Sequence, residues 1–273
     1  MTTLQALLLG VLQGLTEFIP VSSSGHLVLA HRLLGTDAGA GALPFDVAVH
    51  MGTLAAVVVY FRKDVGRMAL SLWKVVRREC GDDEEAKLLL FVVIATVPTA
   101  IVGLALKEPM EGLRAGHSGA LVLITSALLF LNGVFLTGSD WLKEKGRGIL
   151  EVPLYAALVV GLAQGVAVMP GISRSGATVV AALAAGFSRR DAARVAFLCA
   201  IPAIAGAGLI EVITAGGALR GLGVVPVAVG TLAAFGVGLP AIFVLIAALK
   251  RATLKFFGIY CVAVSILALI ATR

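Results

Sequence analysis

Six long apolar segments constrain the fold of this chain more than any other feature of its sequence. Each is close to the about 20 residues that a helix needs to cross a bilayer: Leu43 to Phe61, Leu88 to Leu106, Ser118 to Thr137, Ala192 to Ile213, Val224 to Leu249 and Leu254 to Ala271. Hydrophobic residues form 59% of the 273 residues and charged residues only 14%. These values are not those of a soluble domain, and they predict an all-α polytopic membrane protein with six transmembrane helices.

Four other apolar segments are too short to span a membrane, and they occur as two pairs. Leu4 to Thr16 is followed by His26 to Leu34, and Val152 to Met169 is followed by Ala177 to Phe187. A turn rich in proline, glycine and serine interrupts each pair. Because irregular backbone is tolerated at membrane depth only inside protein or beside a polar cavity, we predict two re-entrant helical hairpins.

The distribution of lysine and arginine predicts which side each loop faces, since these residues collect in short cytoplasmic loops. If the hairpins do not cross, sixteen of the 22 basic residues fall in loops on one side and five on the other, with Arg174 in the second turn. This asymmetry places both termini outside the cytoplasm and predicts an amphipathic surface helix within residues 62–87. The net charge of +6 follows from this topology and gives no reason to invoke nucleic acid.

The two interrupted pairs belong to an internal repeat. GVLQGLTEFIPVSSSGHL, starting at Gly10, aligns with GLAQGVAVMPGISRSGAT, starting at Gly161, so that Gln13 matches Gln164. Three spans separate the copies, and this odd number means that the second hairpin enters from the opposite face. The sequence therefore predicts one membrane domain, residues 1–273, built as an inverted-topology repeat of about residues 1–137 and 152–273, with its site near the midplane.

Both turns lead into short helices, and the positive ends of their dipoles should converge on one anion site. Arg174 adds a planar guanidinium suited to two phosphate oxygens, and a charge at this depth is functional by default. The remaining candidates for phosphate binding from these turns are Ser22, Ser24, Gly25, Ser175 and Gly176. The alternative for these five residues is that they cap helices and pack tightly.

Polar residues of the first repeat suggest metal binding and phosphoryl transfer. Gln13 and Glu17 share a helix face just before Pro20, and an amide oxygen beside a carboxylate suits a divalent cation such as Mg²⁺. Ser23 and His26 are three residues apart, close enough for a hydroxyl and a base to cooperate. A purely structural ion pair is the alternative for the charged groups.

Other polar residues near the helix ends receive a less specific interpretation. Asp46 and His50 share a helix face but lie at a span end, where capping or support of the site is at least as good an explanation, so both are left outside the core site. Glu211, His31 and His117 lie near predicted helix ends and are interpreted as interfacial.

The motifs resemble those of the undecaprenyl-diphosphate phosphatases of the bacitracin-resistance type. QGLTEFIPVSSSGH is similar to that family's [E/Q]-x-x-x-E motif with its Ser/Gly/His turn, and PGISRSGAT, Pro170 to Thr178, is similar to P-G-x-S-R-S-x-x-T. The resemblance extends over essentially the whole chain in length, span order and motifs. Gln13 stands where some members have a glutamate.

The resemblance implies a multi-pass bacterial inner-membrane enzyme that converts undecaprenyl diphosphate to undecaprenyl phosphate and inorganic phosphate. It further implies dependence on a divalent cation, Mg²⁺ or another such as Ca²⁺, with Glu17 and Gln13 as the candidate ligands. Carried over by position, the site residues are Glu17, Ser23, His26, Ser173, Arg174 and Thr178, and the last three also belong to the predicted phosphate-binding set. Membrane lipids are the other expected partners, and the sequence leaves a homodimer open.

A secondary transporter or flippase of a phosphorylated lipid or small anion is the alternative function. Inverted hairpins that meet at the midplane also occur in transporters. Such a carrier needs the arginine and the helix dipoles, but it has no need of Ser23 beside His26. That pair favours phosphoryl transfer.

Overall fold

The computed structural model describes residues 1–36, 40–77, 84–115, 118–142, 145–215, 223–251 and 253–271. Within these ranges the chain forms helices and no β-strand. The α-helices, in chain order, are α1 (Thr3–Thr16), α2 (Ser23–Leu33), α3 (Leu43–Tyr60), α4 (Arg62–Val76), α5 (Glu84–Ala115), α6 (Ser118–Gly138), α7 (Ala156–Val166), α8 (Arg174–Ala185), α9 (Arg189–Ala215), α10 (Val224–Arg251) and α11 (Lys255–Ala271).

Five of these helices, α3, α5, α6, α9 and α10, are long and apolar enough to cross a membrane. They match five of the six spans predicted from the sequence. The sixth, α11, has 17 residues and is shorter than the about 20 that a span needs. Large apolar side chains on these helices are exposed, among them Ile101, Leu131, Leu232 and Phe243. Such surfaces suit a lipid environment, and the chain is a multi-pass membrane protein.

The short helices also form at the predicted places, with shifted ends. α2 and α8 each begin three residues before the predicted start, because Ser22 and Ser173 act as N-caps whose side chains accept hydrogen bonds from Gly25 N and Gly176 N. The break before α2 contains Pro20, and the break before α8 contains Gly171, whose φ of 106° lies in the left-handed region.

A helix occupies most of the segment predicted to lie on the membrane surface. α4 is tied to the bundle by Arg194 of α9, whose guanidinium donates to both Asp64 and Glu84. Residues 84–87 of that segment begin α5, and residues 78–83, which include Asp82 and Asp83, lie outside the described residues.

The two halves of the chain exchange their short helices. α1 packs against α10 of the second half, and α7 packs against α5 of the first half. Glycines allow these close approaches, because a Cβ at Gly10 would collide with the backbone of Gly230, and a Cβ at Gly161 would collide with the backbone of Ala95. α6 and α11, the last helices of the two halves, pack against each other. Corresponding helices therefore make corresponding contacts.

Candidate active site

The two turns lie against each other in the interior of the bundle. Ser22 is the only described residue other than glycine with positive φ, at 68°, and its Oγ accepts hydrogen bonds from Gly25 N at 3.3 Å and Gly171 N at 3.1 Å. The second bond crosses from one turn to the other. Strained backbone of this kind persists only where the surroundings fix it, and it concentrates at functional sites.

Glu17, the residue that ends α1, lies at the centre of the polar cluster between the turns. Its side chain is only 7% exposed. Its Oε2 accepts a 2.5 Å hydrogen bond from Ser23 Oγ and a 2.8 Å bond from Gln13 Nε2. A hydroxyl that donates to a buried carboxylate at this distance makes a strong, charge-assisted bond. Ser23 is therefore paired with an acceptor that can take its proton.

Arg174, the first residue of α8, approaches the same carboxylate from the second turn. Its Nη1 lies 3.7 Å from Glu17 Oε1, and within the described part of the chain this buried nitrogen has no hydrogen-bond partner. The preceding residue is held by α6, since Ser173 N donates to Asn132 Oδ1 at 3.0 Å. A guanidinium whose N–H has no acceptor is available for a phosphate oxygen.

A small polar pocket joins these groups. Its polar lining consists of Glu17, Ser23, Ser24, His50, Ser173 and Arg174, and Ala167, Val168 and Ile172 form its apolar wall. Of the predicted phosphate-binding residues, the structure therefore brings three to the pocket: Ser24, Ser173 and Arg174.

The other five predicted phosphate-binding residues have structural contacts instead. Ser22 Oγ and the N–H groups of Gly25 and Gly176 are used by the helix caps. Ser175 Oγ contacts Ser173 Oγ and the carbonyl of Ile19. Thr178 donates to the carbonyl of Arg174 inside α8 at 2.7 Å. Their polar atoms are engaged in holding the turns, which is the capping alternative raised by the sequence.

His26 is not paired with Ser23 in the structure. Its Nδ1 lies 2.8 Å from the carbonyl oxygen of Ser22, and its Nε2 lies 3.0 Å from the hydroxyl of Tyr260, on which the ring also stacks. Both ring nitrogens thus have other partners, and Ser23 turns toward Glu17 of the preceding helix. The expected Ser23–His26 pair is replaced by a Ser23–Glu17 pair.

His50 was left outside the core site by the sequence interpretation, but its ring lines the pocket. Its Nε2 is 3.4 Å from Glu17 Oε2, and its Nδ1 is 2.7 Å from the carbonyl oxygen of Asp46. The signal that could have found it is its position on the apolar helix α3, where an imidazole two turns from the helix start needs a polar partner.

His31 is not interfacial as expected, because it is 1% exposed. Its Nε2 lies 2.9 Å from Asp46 Oδ1, while Asp46 Oδ2 lies 3.7 Å from Arg114 Nη1. The Asp46 side chain therefore joins α2 to the end of α5, and its backbone carbonyl supports His50. His117 lies outside the described residues.

A divalent cation would find few protein ligands in this pocket. The described part of the chain contains no cluster of three histidine, cysteine, aspartate or glutamate side chains. It does contain the Glu17 carboxylate and Gln13 Oε1, a buried oxygen without a hydrogen-bond partner in the described residues. This set fits an ion that takes its other ligands from phosphate oxygens and water, as Mg²⁺ commonly does.

Long apolar helices surround a pocket in which a hydroxyl, a carboxylate and a guanidinium meet. The fold and the pocket together define a class: multi-pass membrane proteins with a buried site suited to phosphate chemistry. The chain belongs to the bacitracin resistance protein BacA family, whose model matches residues 6–267.

Relatives in this family carry a functional name. The chain is 45% identical over 193 residues to the undecaprenyl-diphosphatase of Desulfosudis oleivorans, covering 67% of each chain. It is 46% identical over 183 residues to that of Syntrophotalea carbinolica, covering 66% of this chain and 65% of the relative. It is 41% identical over 185 residues to the undecaprenyl-diphosphatase of Teredinibacter turnerae, covering 67% of this chain and 66% of the relative. The alignments thus span about two thirds of each relative's length.

Proposed function

We propose that this chain hydrolyses undecaprenyl diphosphate to undecaprenyl phosphate and inorganic phosphate. The observation that carries this proposal is the meeting of Ser23, Glu17 and Arg174 in one pocket of a BacA-family protein. The reaction returns the lipid carrier to peptidoglycan and cell-wall polymer synthesis. The same activity is expected to confer bacitracin resistance, as the name of the family indicates. The enzyme acts in the inner membrane of a bacterium.

The proposed chemistry uses the contacts already present between the side chains. Ser23 Oγ attacks the terminal phosphorus, its proton passes to Glu17 Oε2, and the bond from that phosphorus to the bridging oxygen breaks. Undecaprenyl phosphate leaves, and water then hydrolyses the phosphoseryl group to inorganic phosphate. Arg174 neutralises negative charge on the nonbridging oxygens. In phosphoryl transfer this kind of charge stabilisation, together with positioning, supplies most of the rate enhancement. Direct attack by water, with Glu17 as its base, is the competing route.

A divalent cation, Mg²⁺ or another such as Ca²⁺, completes the proposed site. Glu17 and Gln13 Oε1 would hold it together with oxygens of the diphosphate, and when bound it supplies positive charge that offsets the diphosphate's negative charge. Arg174 lies on the Oε1 side of the Glu17 carboxylate and Ser23 on the Oε2 side, so the protein's own groups approach the substrate from both turns.

The prenyl chain of the substrate has an apolar groove available beside the pocket. Residues of α4, α5 and α9 line a cavity of about 640 Å³, including Met68, Val97, Ile101 and Pro202. On α5 the groove residues extend to Ile101, and Gly103, two residues further along that helix, faces Val168 of the polar pocket. This proximity supports a lipid whose headgroup lies in the pocket and whose chain lies in the groove.

The arrangement in the membrane belongs to the same proposal. One domain spans the membrane six times, with α11 as the sixth span and the α1–α2 and α7–α8 pairs as re-entrant hairpins of opposite orientation. The exchanged packing of α1 on α10 and α7 on α5 supports an inverted repeat. The asymmetry of lysine and arginine supports termini outside the cytoplasm.

Cysteine labelling tests this orientation. We expect Gly66→Cys to react only with reagents that reach the cytoplasm and Gly112→Cys to react with impermeant maleimide added outside. These glycines form a matched pair, since a Cβ at either position meets no atom within 4 Å. The measurement uses a Cys80→Ser background in intact cells. The reverse labelling pattern would contradict the topology.

Phosphate release tests the function. Detergent-purified protein should release inorganic phosphate from undecaprenyl diphosphate, and EDTA should suppress the reaction by at least about 10²-fold, because a metal ion supplies several kcal/mol of charge stabilisation. Readdition of Mg²⁺ should restore it. Absence of release under all metal conditions, with uptake of the lipid or a small anion into proteoliposomes, would favour the transporter instead.

A further inference from the structure

Each turn of the site is held by the last helix of the other half of the chain. The turn before α8 is held by α6, since Ser173 N donates to Asn132 Oδ1 at 3.0 Å. The turn before α2 is held by α11, since His26 Nε2 lies 3.0 Å from the hydroxyl of Tyr260. The paired residues are 41 and 234 positions apart in the chain. Both contacts therefore fix a turn against a distant helix.

His26 transmits the contact with Tyr260 to the backbone beside Ser23. Its Nδ1 lies 2.8 Å from the carbonyl oxygen of Ser22. A carbonyl oxygen only accepts, so Nδ1 of the neutral ring carries the hydrogen and Nε2 accepts the hydroxyl hydrogen of Tyr260. The two rings also stack, with centroids 5.6 Å apart and planes 4° apart. The carbonyl that His26 binds belongs to the residue of positive φ that precedes Ser23.

The helices α6 and α11 are joined to each other at the level of these two contacts. Asn132 Nδ2 donates to Cys261 Sγ at 3.6 Å, and Cys261 follows Tyr260 in α11. This bond orients the amide, because its nitrogen faces the sulfur and its oxygen faces the second turn. A Cβ at Gly133 would collide with the backbone of Gly258, so the two helices pack closely. Asn132 and Tyr260 thus project from one closely packed helix pair.

The contacts form a closed ring around the two turns. Ser22 Oγ accepts a 3.1 Å hydrogen bond from Gly171 N, which links the turns directly, and the α6–α11 pair links them a second time. Ser23 directly follows Ser22, and Arg174 directly follows Ser173. Each proposed catalytic side chain is therefore attached one residue beyond a backbone atom that the ring fixes. Misplacement of such groups by about 1 Å can lower a rate by about 10²-fold.

We propose that Asn132 and Tyr260 are positioning residues, through which the α6–α11 pair sets the location of Ser23 relative to Arg174. Neither side chain lines the polar pocket, so both act through the turns and not on the substrate. His26 is a positioning residue of the same ring, because its Nε2 already accepts from Tyr260. The inference rests on the proposed function for the catalytic roles of Ser23 and Arg174.

Hydrogen–deuterium exchange of the detergent-purified full chain tests this positioning directly. Asn132→Leu keeps the branched shape of asparagine but removes the acceptor. Amide exchange in residues 170–176 should then quicken by at least about 5-fold, the effect of losing one hydrogen bond. Tyr260→Phe, which keeps the ring and its stacking, should quicken exchange in residues 21–26 in the same way. Tyr260→Phe decides the result if Asn132→Leu fails to fold.

Matched controls come from the same two helices. Ser126 of α6 and Ser265 of α11 are buried, and their hydroxyls donate to carbonyls of their own helices. Ser126→Ala and Ser265→Ala should leave exchange in both turns unchanged. Unchanged exchange in the turn that a folded Asn132 or Tyr260 variant is expected to loosen would overturn the inference. Quickening spread evenly over the chain would overturn it as well, because it would show only a general loss of stability.

Double-mutant cycles on phosphate release separate positioning from stability. Asn132→Leu should lower turnover by about 10-fold to 10²-fold, but by less than about 3-fold in an Arg174→Lys background, because the group that it positions is already lost. Tyr260→Phe should lower turnover by about 3-fold to 10-fold, but by less than about 2-fold in a His26→Asn background. Losses that multiply independently would overturn the inference.

The two measurements distinguish this inference from the proposed function. Turns that loosen as expected in a protein that releases no phosphate would overturn the proposed function alone. Normal phosphate release, with exchange and turnover unchanged in both Asn132→Leu and Tyr260→Phe, would overturn this inference alone.

Discussion

Replacement of Ser23 by alanine is expected to lower phosphate release from undecaprenyl diphosphate by at least about 10³-fold. The variant removes both the attacking oxygen and the 2.5 Å hydrogen bond that links it to Glu17. Steady-state release by detergent-purified protein of matched monodispersity is the measurement. Ser24→Ala is the control, because Ser24 lines the same pocket but has Ser22 Oγ, at 3.5 Å, as its side-chain contact. Phosphate release by Ser24→Ala should fall by no more than about 10-fold, since one neutral hydrogen bond contributes about 1 kcal/mol.

Trapping of the phosphoenzyme separates the possible nucleophiles. A phosphoserine survives acid, so an acid-stable adduct should form on the unaltered chain and be absent from Ser23→Ala. An acid-labile adduct would move the nucleophile to a histidine, and His26, three residues from Ser23, would be the candidate. Absence of any adduct, with normal turnover, would favour attack by water with Glu17 as its base.

Turnover by Arg174→Lys should fall by about 10² or more, by analogy with the ~3 to 4 kcal/mol lost when one preorganised donor is removed from other active sites. Lysine keeps the positive charge but lacks the planar fork that binds two phosphate oxygens. The free Nη1 of Arg174, 3.7 Å from Glu17, is the donor that the substitution removes.

Arg114→Lys is the control, because the surroundings of Arg114 closely resemble those of Arg174. Arg114 Nη1 is also buried, also has no hydrogen-bond partner in the described residues, and lies 3.7 Å from a carboxylate, that of Asp46. Its turnover should change by less than about 3-fold, because lysine keeps the positive charge beside Asp46 and Arg114 does not line the pocket. Near-native turnover of folded Arg174→Lys would show that Arg174 acts only as a diffuse charge.

The positions of the long apolar helices were the part of the fold that the sequence predicted well. A bilayer sets the length of an apolar helix, so five spans could be located from composition alone. The two pairs of short apolar segments, each interrupted by a polar turn, also predicted that the two turns lie close together. Glu17 and Arg174 were identifiable because a charge among apolar residues requires a partner, and the structure places these two charges 3.7 Å apart.

Side-chain partners within the site could not be predicted in the same way. A spacing of three residues places Ser23 and His26 on one helix face, but it does not determine the neighbouring helix toward which each side chain turns. Ser23 turns to α1 and His26 to Tyr260 of α11. His50 enters the pocket through the packing of α3, and although its place on an apolar helix indicates a polar partner, it does not identify that partner as Glu17. Likewise, serines and glycines that cap helices have the same sequence signature as those that bind phosphate.

The exchange of short helices between the halves has a consequence for synthesis. Gly10 packs against the backbone of Gly230, so α1 gains its partner only after nearly the whole chain has been made. At ~5–20 residues per second, translation of the intervening segment takes roughly 10 to 45 s. During that interval Gly10 lacks the backbone against which it packs in the folded chain. The N-terminal half is thus a poor independent unit, and a nascent chain stalled before α10 would be a natural substrate for membrane quality-control proteases.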